Sequence, residues 1–236
     1  MSKFLCAVAL ASLASLAAAP SILSAQTVVG HTPENSPFRD ITESQRLTLF
    51  AGYFATQKDE FGATPRSGSG LGVRYDLPVA GPANFFARFE RVDSHRLAFD
   101  PSVAGTDRNL GEQRLGVYLF DLGFDLDLTG RRTWHGIMPA VGFGVGIASA
   151  PGSPPKDPYD FGTQFQLSAE AGLRYIPTNS WEITVYAAPT FYQNHYPVAY
   201  YGTPLGGTPL LTTATARSGF RRNMSYTAGL SYPIFR

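Results

Sequence analysis

The sequence predicts an all-β protein, an eight-stranded antiparallel up-and-down transmembrane β-barrel. Three observations carry this. Eight stretches alternate apolar and polar residues with a period of two, the side-chain repeat of an extended strand. The connections between them run long, short, long, short. One parity of the strands is apolar and almost uncharged through the strand centres, while the other collects Gly, Ser, Thr and paired charges.

The N-terminus sets the compartment. Lys3 precedes an apolar run, Phe4 to Ala19, and Leu23-Ser24-Ala25 precedes Gln26. This reads as a secretory signal peptide over 1–25. Residues 26–44, with Pro33 and Pro37, read as a polar lead-in, and 45–236 as the barrel. Cys6, the single cysteine, lies in the signal segment, so the mature chain offers no disulfide, zinc-thiolate site or cysteine nucleophile. The formal charge of +1 gives no electrostatic case for nucleic acid. Every later apolar stretch is broken too early for a spanning helix.

The strands follow in order. Leu47, Leu49, Ala51 and Tyr53 share one face. So do Leu71, Val73, Tyr75 and Leu77, then Phe85, Ala87 and Phe89. Leu122 to Leu128 alternates with Gly123, Asp125 and Asp127. Val141 to Ile147 alternates with Gly142, Gly144 and Gly146. Phe165 to Leu173, Trp181 to Ala187 and Tyr226 to Ile234 complete the set. The fourth strand carries a puzzle. Leu115, Val117 and Leu119 have the opposite parity to Leu122–Leu128. Either a bulge lies near Phe120, or the span begins at Tyr118 and the upper part stands outside the bilayer. The second fits the ~9–11 residues that a tilted spanning strand needs.

The long connections are expected at 56–68, 93–112, 149–160 and 193–218, and the short ones at 79–83, 129–132 and 177–180. Short turns then lie on the periplasmic side and long loops outside. An even strand number places both barrel ends on the periplasmic side. Leu126, Val145, Leu167, Val185 and Leu230 are expected to face lipid. Closure is obligatory there, because lipid cannot satisfy a free strand edge. Tyr75, Phe85, Tyr175, Trp181 and Tyr232 gather near the short-turn ends, where amphipathic rings favour the bilayer interface.

The segment Leu128-Thr-Gly-Arg-Arg-Thr-Trp-His-Gly136, followed by Pro139-Ala-Val-Gly-Phe-Gly-Val-Gly146, is a strand-turn-strand with a glycine-alternating second strand. In this, and over about 45–236, the chain resembles the small eight-stranded outer-membrane barrels of the OmpA and OmpX type. The resemblance implies a cell outer-membrane location and passage through the barrel-assembly machinery. Barrels of that family usually end on an aromatic residue; here Phe235 is followed by Arg236 and Pro233 interrupts the strand.

The inward parity collects Arg74, Arg88 and Arg174 with Asp76, Glu90, Asp121, Asp125, Asp127, Glu170 and Glu182. Unpaired buried charge is expensive, so these residues are expected to pair across strands as a lumen charge cluster. No catalytic, cofactor or metal site is read from the sequence. His95 and His195 are expected in long loops, and Asp93-Ser94-His95 points its neighbours to opposite faces. The G-x-G-x-G run of Gly142, Gly144 and Gly146 is followed by no helix, so it is no dinucleotide fingerprint. The last loop holds Tyr192, Tyr196, Tyr200, Tyr201, Leu205, Leu210 and Leu211, either a partner-binding surface or a self-packed cover on the barrel mouth.

The expected function is an integral outer-membrane barrel, not an enzyme, with a structural or surface-interaction role and a side-chain-filled lumen. Its partners are the bilayer, the assembly machinery and possible extracellular molecules at the long loops. The alternatives are an outer-membrane enzyme acting on lipid, or a secreted soluble barrel binding an apolar ligand.

Overall fold

The computed structural model describes residues 36–236 except 43, 58, 60, 179, 205, 206, 213, 214, 216 and 236. The predicted signal peptide (1–25) and most of the lead-in lie outside the described residues. Ten strands follow: β1 (Phe38–Asp40), β2 (Gln45–Ala55), β3 (Gly68–Ala80), β4 (Ala83–Phe99), β5 (Asn109–Asp127), β6 (Arg132–Trp134), β7 (Ile137–Ala150), β8 (Gly162–Thr178), β9 (Trp181–His195) and β10 (Ser218–Phe235).

Eight of them close on themselves. The ring runs β2, β3, β4, β5, β7, β8, β9, β10, and β10 pairs back onto β2 from Met224↔Ala55 to Phe235↔Gln45. Every ring pairing is antiparallel. All eight predicted strands are present. Closure leaves no ring strand with a free edge.

The puzzle of the fourth predicted strand resolves without a bulge. The β4–β5 register runs unbroken from Ala83↔Leu126 to Ala98↔Gly111. Odd residues of β5 face inward throughout, so Leu115, Val117 and Leu119 are buried on the same side as Asp121 and Asp125. The parity never switches; the chemistry of each face does. The outward run Tyr118–Leu128, at about 3.3 Å per residue and a tilt of roughly 40°, rises about 25 Å.

Two expectations need correction. β4 and β5 continue above that band, so the connection expected over 93–112 is really 100–108, closed by a one-turn 3-10 segment at Gly105–Arg108. His95 and His195 accordingly sit in strands, His195 at the last position of β9. The lead-in also ends in structure. β1 pairs with β6 through Phe38↔Trp134, Arg39↔Thr133 and Asp40↔Arg132. The Arg132 Nε–Asp40 Oδ1 pair at 2.9 Å joins the two strands. The turn expected at 129–132 is therefore the base of a small extra ladder. A three-residue strand has too little periodicity to be seen in sequence.

Candidate functional site

The inward parity builds a charged lumen. Arg74 on β3 is its centre. Its Nε donates to Asp76 Oδ1 at 2.7 Å, Nη2 to Asp125 Oδ2 at 2.5 Å and Nη1 to Glu170 Oε1 at 2.6 Å. The guanidinium carbon also lies 4.2 Å from the Phe86 ring centroid and 4.7 Å from that of Tyr186. On β4, Arg88 reaches Asp121 Oδ2 at 2.6 Å and the second oxygen of Glu170 at 3.1 Å. Arg174 on β8 holds Asp127 and Glu182, each at 2.9 Å. Glu90 accepts from the Ser225 hydroxyl at 3.1 and 3.2 Å. All ten residues of the predicted cluster thus lie on the interior side, buried except for the half-buried Glu182. Glu170 is shared by Arg74 and Arg88, and Arg174 joins Asp127 to Glu182, whereas Glu90, expected to pair with a cation, meets the Ser225 hydroxyl instead. Such charge is tolerable out of water only when its hydrogen bonds are met.

Several members of this network are not among the predicted residues. Arg46 on β2 is buried beside Glu182 at 3.9 Å. Asn84 donates to Asp127 at 3.0 Å, and Gln166 donates to Asp121. Their inward parity was a usable signal; amides and an arginine at a strand start stand out less than central charges. Glycines make room for the large inward rings. A Cβ at Gly123 would stand 2.6 Å from Phe86 Cζ, and one at Gly144 would stand 3.1 Å from it.

The outer face is the inverse of the lumen. Leu126, Val145, Leu167, Val185 and Leu230 are all exposed. The predicted interface aromatics lie near the short-turn ends. Tyr175, Trp181 and Tyr232 are exposed, while Tyr75 and Phe85 are half-buried on the outer parity. The Tyr75 hydroxyl donates to Gln45 Oε1 at 2.7 Å. Among the described residues, the outer face carries no charge between this level and Arg91, Asp93, Arg114 and Arg222.

Above the charges, the interior turns apolar. Phe54, Val92, Leu115, Val117, Leu119 and Ala148 of the strands pack with Tyr159, Phe161, Tyr200, Leu210 and Leu211 of the outer loops. Of the two readings of the last loop, the structure has the self-packed cover: Tyr192, Tyr196, Tyr200, Leu210 and Leu211 are turned inward and buried. Leu205 lies outside the described residues. Their burial has a simple cause, since the apolar barrel mouth is the nearest place to remove these rings from water.

Two carboxylates knot this cap. Asp157 accepts four hydrogen bonds: from Arg96 Nη1 (2.7 Å), the Phe99 N–H (3.2 Å), the Tyr159 N–H (3.0 Å) and the Tyr200 hydroxyl (2.6 Å). Asp59 accepts from the Tyr196 hydroxyl at 2.7 Å and the Thr64 N–H at 3.0 Å. Arg221 donates to the same Tyr196 oxygen at 3.0 Å. Burial raises the Tyr200 phenol above its ordinary range, and the hydrogen bond to Asp157 raises it further. Tyr196 is raised by burial and by Asp59 in the same way.

Little supports catalysis. Ser94 points inward and donates to the Arg66 carbonyl at 2.6 Å, while His95 faces the other side. Among the described residues, no group of three or more His, Cys, Asp or Glu side chains is arranged to hold a metal ion.

No family model matches the chain, and no curated protein matches it by sequence. Solved structures do resemble it in shape. Neisserial surface protein A is 13% identical with a TM-score of 0.48, over 80% of this chain and 97% of that one. The outer membrane protein OprG from Pseudomonas aeruginosa is 12% identical with a TM-score of 0.48, over 86% and 100%. The outer membrane enzyme PagL is 15% identical with a TM-score of 0.38, over 80% and 99%.

Proposed function

We propose that this chain is an integral outer-membrane barrel that is sealed to steady ion flow and carries a folded cap on its outer end. One observation carries the reading: all ten charges of the lumen cluster face in, while an uncharged apolar band faces out on the ring strands. A water-soluble barrel would bury the apolar face and expose the charged one. The same observation argues against a soluble barrel, because such a barrel would leave the uncharged outer band in water. The bilayer is the chief partner, and the assembly machinery delivers the chain to it. The role is structural or one of surface interaction, made through the exposed rim of the cap, and is not enzymatic.

Extraction and recording test this together. The mature protein is expected to need detergent for release and to migrate differently on gels before and after heating. Reconstituted in a planar bilayer, it is expected to show no large steady conductance. Recovery in the detergent-free periplasmic extract would overturn the location. A large stable channel would overturn the seal.

A further inference from the structure

The lumen has two storeys. The lower is charged, and its three central arginines, Arg74, Arg88 and Arg174, are each held by carboxylates. The upper is an apolar cup whose wall is made by strand residues such as Phe54, Val92, Val117 and Leu119. The wall does not fill that cup. Loop side chains do, chiefly Tyr159, Phe161, Tyr200, Leu210 and Leu211. The cap is therefore a plug of loop residues seated against the upper strand residues.

The plug is imperfectly satisfied. Arg96 is buried, with Nη1 on Asp157, but its Nη2 has no hydrogen-bond partner. The Tyr159 hydroxyl is buried without a partner as well. The two belong to one contact, with the Arg96 guanidinium carbon 4.7 Å from the Tyr159 ring centroid. Native interiors rarely leave buried donors unmet, and each unmet donor penalises the closed arrangement. The charges of the cap are already balanced: Arg96 faces Asp157, and Arg221 lies near Asp59. What would complete the pair is a neutral acceptor oxygen, and what would complete the cup is an apolar body.

We propose that the outer cup is a binding site for a neutral apolar molecule bearing one carbonyl or hydroxyl oxygen, and that Leu210 and Leu211 of the loop plug are its displaceable stand-in. The oxygen accepts from Arg96 Nη2 and the Tyr159 hydroxyl, and the apolar body takes the space of Leu210 and Leu211. The charged storey below is the floor, so the molecule is held and does not pass through the bore.

The test uses the full mature protein in lipid nanodiscs with isotope-labelled Leu and Val methyl groups. Methyl nonyl ketone is the probe and undecane the control. Saturable shifts are expected at Leu115, Val117 and Leu119, together with changes at Leu210 and Leu211. The ketone should bind several-fold more tightly than the alkane. Tyr159→Phe, which keeps the ring, should remove much of that preference. Shifts confined to the lipid-facing Leu126 and Leu167 would mean partition into the bilayer only and would overturn the site. So would equal binding of ketone and alkane, or a Tyr159→Phe variant that keeps the preference. A protein that gives a folded spectrum in nanodiscs but no cup response overturns this inference alone, whereas one that never enters the bilayer overturns the membrane reading.

Discussion

Arg74 and Glu170 meet across the full diameter of the barrel. The residues are 96 positions apart in sequence, yet Arg74 Nη1 donates to Glu170 Oε1 at 2.6 Å. Their strands, β3 and β8, are four steps apart in either direction round the ring. Because Glu170 also accepts from Arg88, one carboxylate ties β8 to both β3 and β4. A bridge of this kind cannot coexist with an open axial pore at that level.

Removing the bridge should be costly. Arg88→Ala leaves Asp121 and one oxygen of Glu170 without their cation, so stability is expected to fall by about 3–5 kcal/mol. Urea unfolding in lipid vesicles, followed by gel shift, measures this. A loss below experimental error would show that the charges are solvated instead of paired.

The outer face should reject charge in proportion to depth. Val145 is exposed in the middle of β7, and Val145→Arg is expected to cost about 2–4 kcal/mol. Arg at Pro154, in the loop above the same strand, should cost little. Equal tolerance at the two positions would contradict a lipid-facing band.

Phe86 and Gly144 should be coupled. Gly144→Val is expected to destabilise the barrel by about 1–3 kcal/mol through overpacking against Phe86 and Ser168. Phe86→Ala should recover part of that loss in a double-mutant cycle. Additive losses would mean that the two sites do not touch.

The cap should weaken in alkali before the span does. Tyr196 and Tyr200 are raised above the ordinary phenol value of about 10 by burial and by Asp59 and Asp157. A group raised on folding contributes stability that is full below its unfolded value and lost as pH climbs through the folded one. Tyrosinate absorbance should therefore show these phenols still neutral at a pH where a free tyrosine has ionised. Their later ionisation should coincide with proteolytic access to the loops. A single titration for all tyrosines would show that the cap is open.

The sequence by itself determined the parity of every ring strand, and through it the strand number, the apolar outer face and the inward position of all ten predicted lumen charges. It could do so because side-chain direction in a strand is a local property with a period of two. The tertiary structure alone decided the partners. That Arg74 meets Glu170, that Arg46, Asn84 and Gln166 join the network, and that Phe38–Asp40 pairs with Arg132–Trp134 depend on register and ring closure. Those are set by the tilt and stagger of all eight strands together, which no single segment encodes. The direction of the last loop was likewise undecided by its own residues. Tyr200 and Leu211 are as apolar outside as inside, and only an empty apolar mouth above a charged floor drew them in.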